Sequence, residues 1–118
     1  MLKGQEKITV NFKISEVLFK EMMESVIDDD YGMRGKSRWI SEAIQSLLKL
    51  GNYVNYIKNE AVISPKLGKH QTIKIPADTY KLIDEAITAV KKEQPRLEGL
   101  QSRIIRTSIM QRLLRKGV

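Results

Sequence analysis

Residues 7–14 read Lys7-Ile8-Thr9-Val10-Asn11-Phe12-Lys13-Ile14, and this stretch decides the fold. Apolar and polar side chains alternate at every position, which predicts a β-strand with one buried face. Ser15 follows as a candidate N-cap. Residues 16–30 then carry apolar side chains at helical spacing, so we expect a helix there with Met22 in the core.

A second helix is predicted after a turn at residues 31–35, which contains two glycines. Ser37 is the expected N-cap, and Gly51 is expected to follow the last turn. Trp39 lies beside the apolar face of this helix, which favours packing in the core or in a groove over stacking on a base. The apolar face itself consists of Ile40, Ala43, Ile44, Leu47 and Leu48.

The same order of elements returns in the second half of the chain. Residues 71–75 alternate again, Pro76 ends the strand, and two further helical patterns follow, the second capped by Ser102. The strands match at an offset of 61 residues and the second helices at an offset of 65. The second unit is therefore predicted to have a first helix or a turn that is longer by four residues.

The repeat predicts a mostly α fold with a two-stranded antiparallel β-ribbon, in the order β-α-α-linker-β-α-α. We expect a first unit at residues 1–50, a linker at 51–69 with a short helix over 53–60, and a second unit at 70–118. One strand and two helices leave backbone groups unpaired, so the two units are predicted to pair their strands and form one compact intrachain pseudo-dimer. Pairing between two chains is the alternative.

The composition of the chain limits the classes of function that we expect. The chain has 118 residues, a net charge of +7, no cysteine and one histidine, His70. Residues 1–60 hold nine basic and nine acidic side chains, whereas residues 61–118 hold twelve and five and so carry all of the net charge. We expect a cytoplasmic protein that is not an enzyme, with no metal, no cofactor, no small-molecule substrate and no membrane span. The excess of positive charge favours nucleic acid as the partner, with most of the attraction coming from the second unit.

The outer face of the ribbon is the candidate reading surface for DNA bases. It is free of carboxylates, and a two-stranded ribbon fits the major groove of B-DNA. A merely solvated strand face is the alternative. The predicted base-contacting residues are Thr9, Asn11, Lys13, His70, Thr72 and Lys74.

The starts of the two second helices are the candidate phosphate anchors, because helix N-termini attract anions. Ordinary helix capping is the alternative for the two serines. The predicted phosphate-contacting residues are Lys36, Ser37, Arg38, Gln101, Ser102 and Arg103. Further candidates for flanking phosphates, with a solvated face as the equal alternative, are Lys91, Lys92, Arg112, Arg115 and Lys116.

These pieces resemble the ribbon-helix-helix superfamily of Arc-, MetJ- and CopG-like repressors. The matching segments are residues 9–14, 35–38 and 39–44, and the two units cover about 90 residues of the chain. Two units in one chain are similar in organisation to the TraY-like and VirC2-like accessory proteins of plasmid and T-DNA transfer. In this superfamily the outward strand residues read bases and the turn before the second helix binds phosphate.

The resemblance implies sequence-specific binding of double-stranded DNA, as a transcriptional regulator or as an accessory factor of mobile-element DNA processing. Further copies of the protein on adjacent sites are a second expected partner. The alternative function is a protein-interaction module with the same fold, for which residues 53–57 of the linker are the candidate partner surface.

Overall fold

The computed structural model describes residues 6–32, 34–60 and 68–116, and over these residues it has two strands and five helices. The protein is mostly helical with a two-stranded antiparallel sheet, as the sequence predicts. In chain order the elements are β1 (Lys7–Ile14), α1 (Glu16–Asp28), α2 (Lys36–Leu48), α3 (Tyr53–Lys58), β2 (Lys69–Pro76), α4 (Ala77–Glu93) and α5 (Leu100–Lys116).

The two strands pair with each other within the one chain, along their full length. The register places Ile8 opposite Ile75 and Val10 opposite Ile73. Because side chains alternate between the faces of a strand, this register brings the apolar residues of both strands to the same face. The side chains that this inner face buries are Val10, Phe12, Ile14, Ile73 and Ile75.

Four helices cover the inner face of the ribbon and form one core with it. Helices α2 and α5 pack against each other, α4 contacts α2, and α1 contacts α5. Trp39 and Met22 are fully buried, so their predicted places in the core are confirmed. Other fully buried side chains from the helices are Ile40, Ile44, Leu47, Ile83, Ile104, Ile105 and Ile109.

The four-residue difference between the two halves lies in their first helices. Helix α1 has 13 residues and α4 has 17. The segments that follow them, residues 29–35 and 94–99, are of similar length. The extra helical turn accounts for the change in offset from 61 to 65 between the matching strands and the matching second helices.

The predicted starts of the second helices are wrong by two and three residues. Helix α2 begins at Lys36, after Gly35 as its N-cap, and α5 begins at Leu100, so Ser37 and Ser102 lie inside the first turns rather than at caps. Ser15, in contrast, is a confirmed N-cap whose Oγ accepts a hydrogen bond of 3.1 Å from the Leu18 amide.

Gly35 is required by a close backbone approach. A Cβ atom at this position would lie 2.2 Å from the carbonyl oxygen of Tyr31, which no larger residue can tolerate without moving the turn. At the other end of α2 the predicted stop at Gly51 is also displaced. The helix ends at Leu48 with Lys49 as its C-cap, so Gly51 lies in the turn that follows.

The linker contains the predicted short helix, which is two residues shorter than expected. Helix α3 spans Tyr53–Lys58 and anchors itself through Ile57, which is fully buried. It packs mainly on α4 and α5. No helix in the described ranges is both long and apolar enough to cross a membrane.

Candidate nucleic-acid interface

The outer face of the ribbon carries all six residues that the sequence predicts as base contacts. The register pairs Thr9 with Lys74, Asn11 with Thr72 and Lys13 with His70, and all six side chains are exposed. On each strand the first and third of these residues are four residue steps apart, or about 13 Å at the rise of a β-strand. Three cross-strand pairs therefore form a compact polar surface with three basic or titratable side chains and no carboxylate.

The central pair of this surface is linked by its own hydrogen bond. The hydroxyl of Thr72 donates to Oδ1 of Asn11 at 2.7 Å. The amide oxygen of Asn11 therefore already accepts a hydrogen bond from within the protein. Its Nδ2 group keeps its donors, so the centre of the ribbon is best suited to acceptors such as N7 and O6 of guanine.

The two serines that were predicted as caps each bind the free edge of the strand from the other half. Ser37 Oγ accepts a hydrogen bond of 3.2 Å from the Lys74 amide, and Ser102 Oγ accepts one of 3.1 Å from the Lys13 amide. Lys13 and Lys74 correspond to each other at the offset of 61. The same contact is thus made twice, and it places the first turn of α2 and of α5 against opposite edges of the ribbon.

On the α5 side, the residues predicted to contact phosphate have partners inside the chain. Gln101 Nε2 donates to the Asn11 carbonyl at 2.8 Å. Arg103 turns away from the ribbon and donates to the carbonyls of Ile57 and Lys58, at 2.7 Å each, where it closes the C-terminal end of α3. The structure therefore does not bring Arg103 together with the other predicted anchors.

On the α2 side, Lys36 and Arg38 remain close to the ribbon. Lys36 Nζ donates to Gln71 Oε1 at 2.8 Å, and partial burial lowers the pKa of its ammonium group. The Arg38 side chain is 77% exposed, pairs with Glu42 at 3.2 Å, and lies over the Tyr31 ring.

Desolvation would by itself raise the pKa of Glu42. Hydrogen bonds from Tyr31 and Arg38, with the charges of Arg38 and Arg112, outweigh it and lower that pKa.

A basic groove lies beside the start of α2 and was not predicted as a unit. Its volume is about 430 Å³, and four cationic side chains line it together with Ser37. The one carboxylate in its wall, Glu42, is already paired with Arg38. The four cationic residues are Lys7, Arg34, Arg38 and Lys74. Lys7 and Arg34 were missed because they lie far apart in sequence and meet only through the fold.

Much of the positive charge of the second half is used inside the protein. Arg106 forms a bidentate pair with Glu60 at 2.7 and 3.1 Å and also donates to the Lys13 carbonyl. Arg112 donates to the Trp39 carbonyl and to the Tyr31 hydroxyl, and stacks over both rings. The count of charges along the sequence therefore overstates what α5 can offer to a phosphate backbone.

Comparisons with known proteins identify no relative whose function could be compared with that of this surface. No family model, no curated protein and no solved structure matches this chain. Within residues 6–32, 34–60 and 68–116 there is no group of three or more histidine or acidic side chains arranged to hold a metal ion.

Proposed function

We propose that this protein binds double-stranded DNA sequence-specifically, with the ribbon of β1 and β2 in the major groove, as a regulator or as an accessory factor of DNA processing. The observation that carries the proposal is the outer face of the ribbon, where six exposed side chains without a carboxylate form three cross-strand pairs. A face of about 13 Å matches roughly four base pairs, and the groove of B-DNA admits a two-stranded ribbon.

The positions of the helices support this proposal. The first turns of α2 and α5 lie against the two edges of the ribbon, which is where the sugar–phosphate backbones run when a ribbon enters a groove. Helix N-termini carry partial positive charge and free amides, both of which favour phosphate. The basic groove at α2 adds four side-chain cations at the same place.

We further propose that the chain is a pseudo-dimer of two ribbon-helix-helix units, related by an approximate two-fold axis through the Asn11–Thr72 pair. Three observations support it. The two residues correspond at the offset of 61 and face each other. The Ser37–Lys74 and Ser102–Lys13 contacts are equivalent. The central packing of α2 on α5 joins equivalent helices.

The pseudo-dimer implies an asymmetric DNA site, because equivalent positions on the two strands differ. Thr9 corresponds to His70 and Asn11 to Thr72, whereas Lys13 and Lys74 are identical. Selection of bound duplexes from a random DNA pool tests the proposal. The expected result is a short motif that is not a perfect palindrome. Recovery of no enriched motif by a protein that is folded would contradict sequence-specific binding.

Asn11→Ala is the sharpest test of base reading. A base contact of this kind contributes about 1–3 kcal/mol, so affinity for the selected site should fall roughly 5- to 150-fold, with relaxed preference at the central position. Asn55→Ala is the matched control, since it removes an exposed asparagine from α3. An equal loss of affinity for selected and random duplexes would show that Asn11 does not read a base.

A protein-interaction role is the second candidate, and one groove favours it. Helix α3 and the C-terminal half of α5 enclose about 520 Å³ between them, with Tyr56, Met110 and Leu114 in the wall. Leu114 and Tyr56 are 58% and 37% exposed, so the wall of this groove presents adjacent apolar surface to water. If the folded protein bound no duplex at low salt, and Leu114→Ser abolished binding of a protein partner, this role would replace the first.

A further inference from the structure

The two edges of the ribbon are unequal in charge. We call the surroundings of the Ser37–Lys74 contact the α2 end, and those of the Ser102–Lys13 contact the α5 end. Each residue at one end has a counterpart at the other, through the offset of 61 in the strands and of 65 around the second helices. The two ends can therefore be compared position by position.

The α2 end holds its four cations in one groove. Lys7 comes from the start of β1, Arg34 from the turn before α2, Arg38 from the first turn of α2 and Lys74 from β2. All four side chains are exposed. The register and the Ser37 hydrogen bond hold these elements together, so the charges face the same side of the ribbon edge.

At the α5 end, three of the four positions equivalent to these cations have no exposed cationic side chain. Gly68 stands where Lys7 would be, and Gly99 stands where Arg34 would be. Arg103, the counterpart of Arg38, donates to two carbonyls of α3 and lies 3.6 Å from Glu60. Of the four positions, only Lys13 keeps an exposed cation.

The hollow beside the start of α5 does not replace this charge. It has a volume of about 310 Å³ and is lined mainly by Ile87, Leu97 and neighbouring uncharged residues. Lys91 and Glu98 also line it, and their opposite charges give no net positive charge. Gln101 likewise stands where Lys36 stands in the first unit. The difference between the ends is therefore one of residue type as well as of side-chain direction.

From these observations we infer that the protein grips the DNA backbone mainly through its α2 end. The inference rests on the proposed DNA binding and on the tandem correspondence. Phosphate contacts supply most of the salt-dependent affinity, and each contributes about 0.9 to the slope of log K against log salt. The phosphates beside α2 should thus dominate that slope. The first unit, not the more basic second half, supplies the larger part of the attraction.

Replacing charged phosphates of the DNA by uncharged methylphosphonates tests the one-sided grip directly. The probe is the duplex recovered by selection, with three adjacent methylphosphonates placed in the backbone flanking one side of the motif or the other. We expect substitution on one flank to reduce affinity about tenfold or more, and substitution on the other flank to change it less than threefold. The sensitive flank is assigned to α2 by cleavage from a chelated iron probe attached at Arg34→Cys, in a chain that has no other cysteine.

Charge variants give a second, independent measurement. Lys7→Ala with Arg34→Ala should lower the salt slope by about two on any duplex. Lys49→Ala is the control and should leave the slope unchanged, because it removes an exposed charge from the C-terminal end of α2, about 20 Å along the helix from Lys36. Gly68→Lys should raise the slope by about one, since a Cβ atom at this position would meet no atom of the described residues within 4 Å.

The outcomes separate the two claims. If the wild-type protein binds duplex DNA and both flanks respond equally to methylphosphonates, the one-sided grip is wrong while DNA binding stands. If the sensitive flank is the one next to α5, the inference is reversed. If the wild-type protein shows no salt-dependent binding to any duplex, the proposed function itself fails.

Discussion

Replacing Glu60 with glutamine should destabilise the protein more than the loss of an exposed, paired carboxylate does. The Glu60 carboxylate accepts two hydrogen bonds from Arg106, at 2.7 and 3.1 Å, and lies 3.6 Å from Arg103. The three side chains are only 11%, 12% and 19% exposed, in the order Glu60, Arg106, Arg103. One carboxylate therefore compensates two guanidinium groups that water reaches poorly.

The size of the effect follows from this burial. Removing one partner of a fully buried ion pair costs about 3–5 kcal/mol, because it leaves the other charge uncompensated. In Glu60→Gln the amide oxygen still accepts one hydrogen bond, and both arginines keep backbone carbonyl partners. We therefore expect a loss of about 2–3 kcal/mol in the free energy of unfolding. With a urea m-value of about 2 kcal/mol/M, the midpoint should fall by roughly 1–1.5 M.

The assay is urea unfolding followed by circular dichroism, with Glu93→Gln as the matched control. Glu93 pairs with Lys58 at 2.7 Å, but its side chain is 52% exposed. An exposed pair of this kind contributes about 0–1 kcal/mol, so the control midpoint should move by less than about 0.5 M. Equal shifts in the two variants would show that the burial of Glu60 and its arginines does not matter, and the reasoning would then be refuted.

Three other predictions concern the turn, the ribbon edges and pH. Gly35→Ala should lower the free energy of unfolding by about 1–3 kcal/mol because its Cβ would overlap the Tyr31 carbonyl, whereas Gly51→Ala, with nothing within 4 Å, should change thermal stability little. Ser37→Ala and Ser102→Ala each remove one hydrogen bond to a strand amide, so each should cost about 0.5–1.5 kcal/mol and the double variant should show additive losses in urea unfolding. Because the folded-state pKa of Glu42 lies below its ordinary value of 4.5, its stabilising contribution is present above that pH and is lost as pH falls through the lower folded value. Wild type and Glu42→Gln should therefore differ in unfolding midpoint at pH 7 and converge in acid, and a constant difference across pH would contradict this assignment.

Local periodicity was enough to predict most of the fold. The alternation at residues 7–14 fixes which side chains of β1 face the core, and the repeat predicts four extra residues in the second half, in a helix or in a turn, which the structure places in α4. The helix starts were misplaced because a serine near a helix start suggests a cap. The structure instead uses Ser37 and Ser102 to bind strand amides that lie 37 and 89 residues away. Such a partner cannot be read from neighbouring residues.

The base-contacting part of the candidate site could be predicted from local sequence, whereas the phosphate-contacting part depends on partners distant in the chain. The outward faces of the strands follow from period two alone, so all six predicted base-contacting residues lie on one surface. The direction of an arginine does not follow from its position on a helix. The match with Arg38 predicts Arg103 beside phosphate, but two backbone carbonyls of α3 bind its guanidinium group elsewhere.

The pairing of β1 with β2 inside one chain has consequences for concentration and for mutation. A ribbon shared by two separate chains would come apart on dilution, and its DNA affinity would depend on protein concentration through dimer formation. Here the two strands are tethered, so their effective concentration is constant at any dilution. If the ribbon reads DNA as proposed, each codon specifies one corner of the reading surface instead of two. Under that proposal, a mutation at Thr9 or at His70 would change the preference for one side of a DNA site and leave the other side as it was.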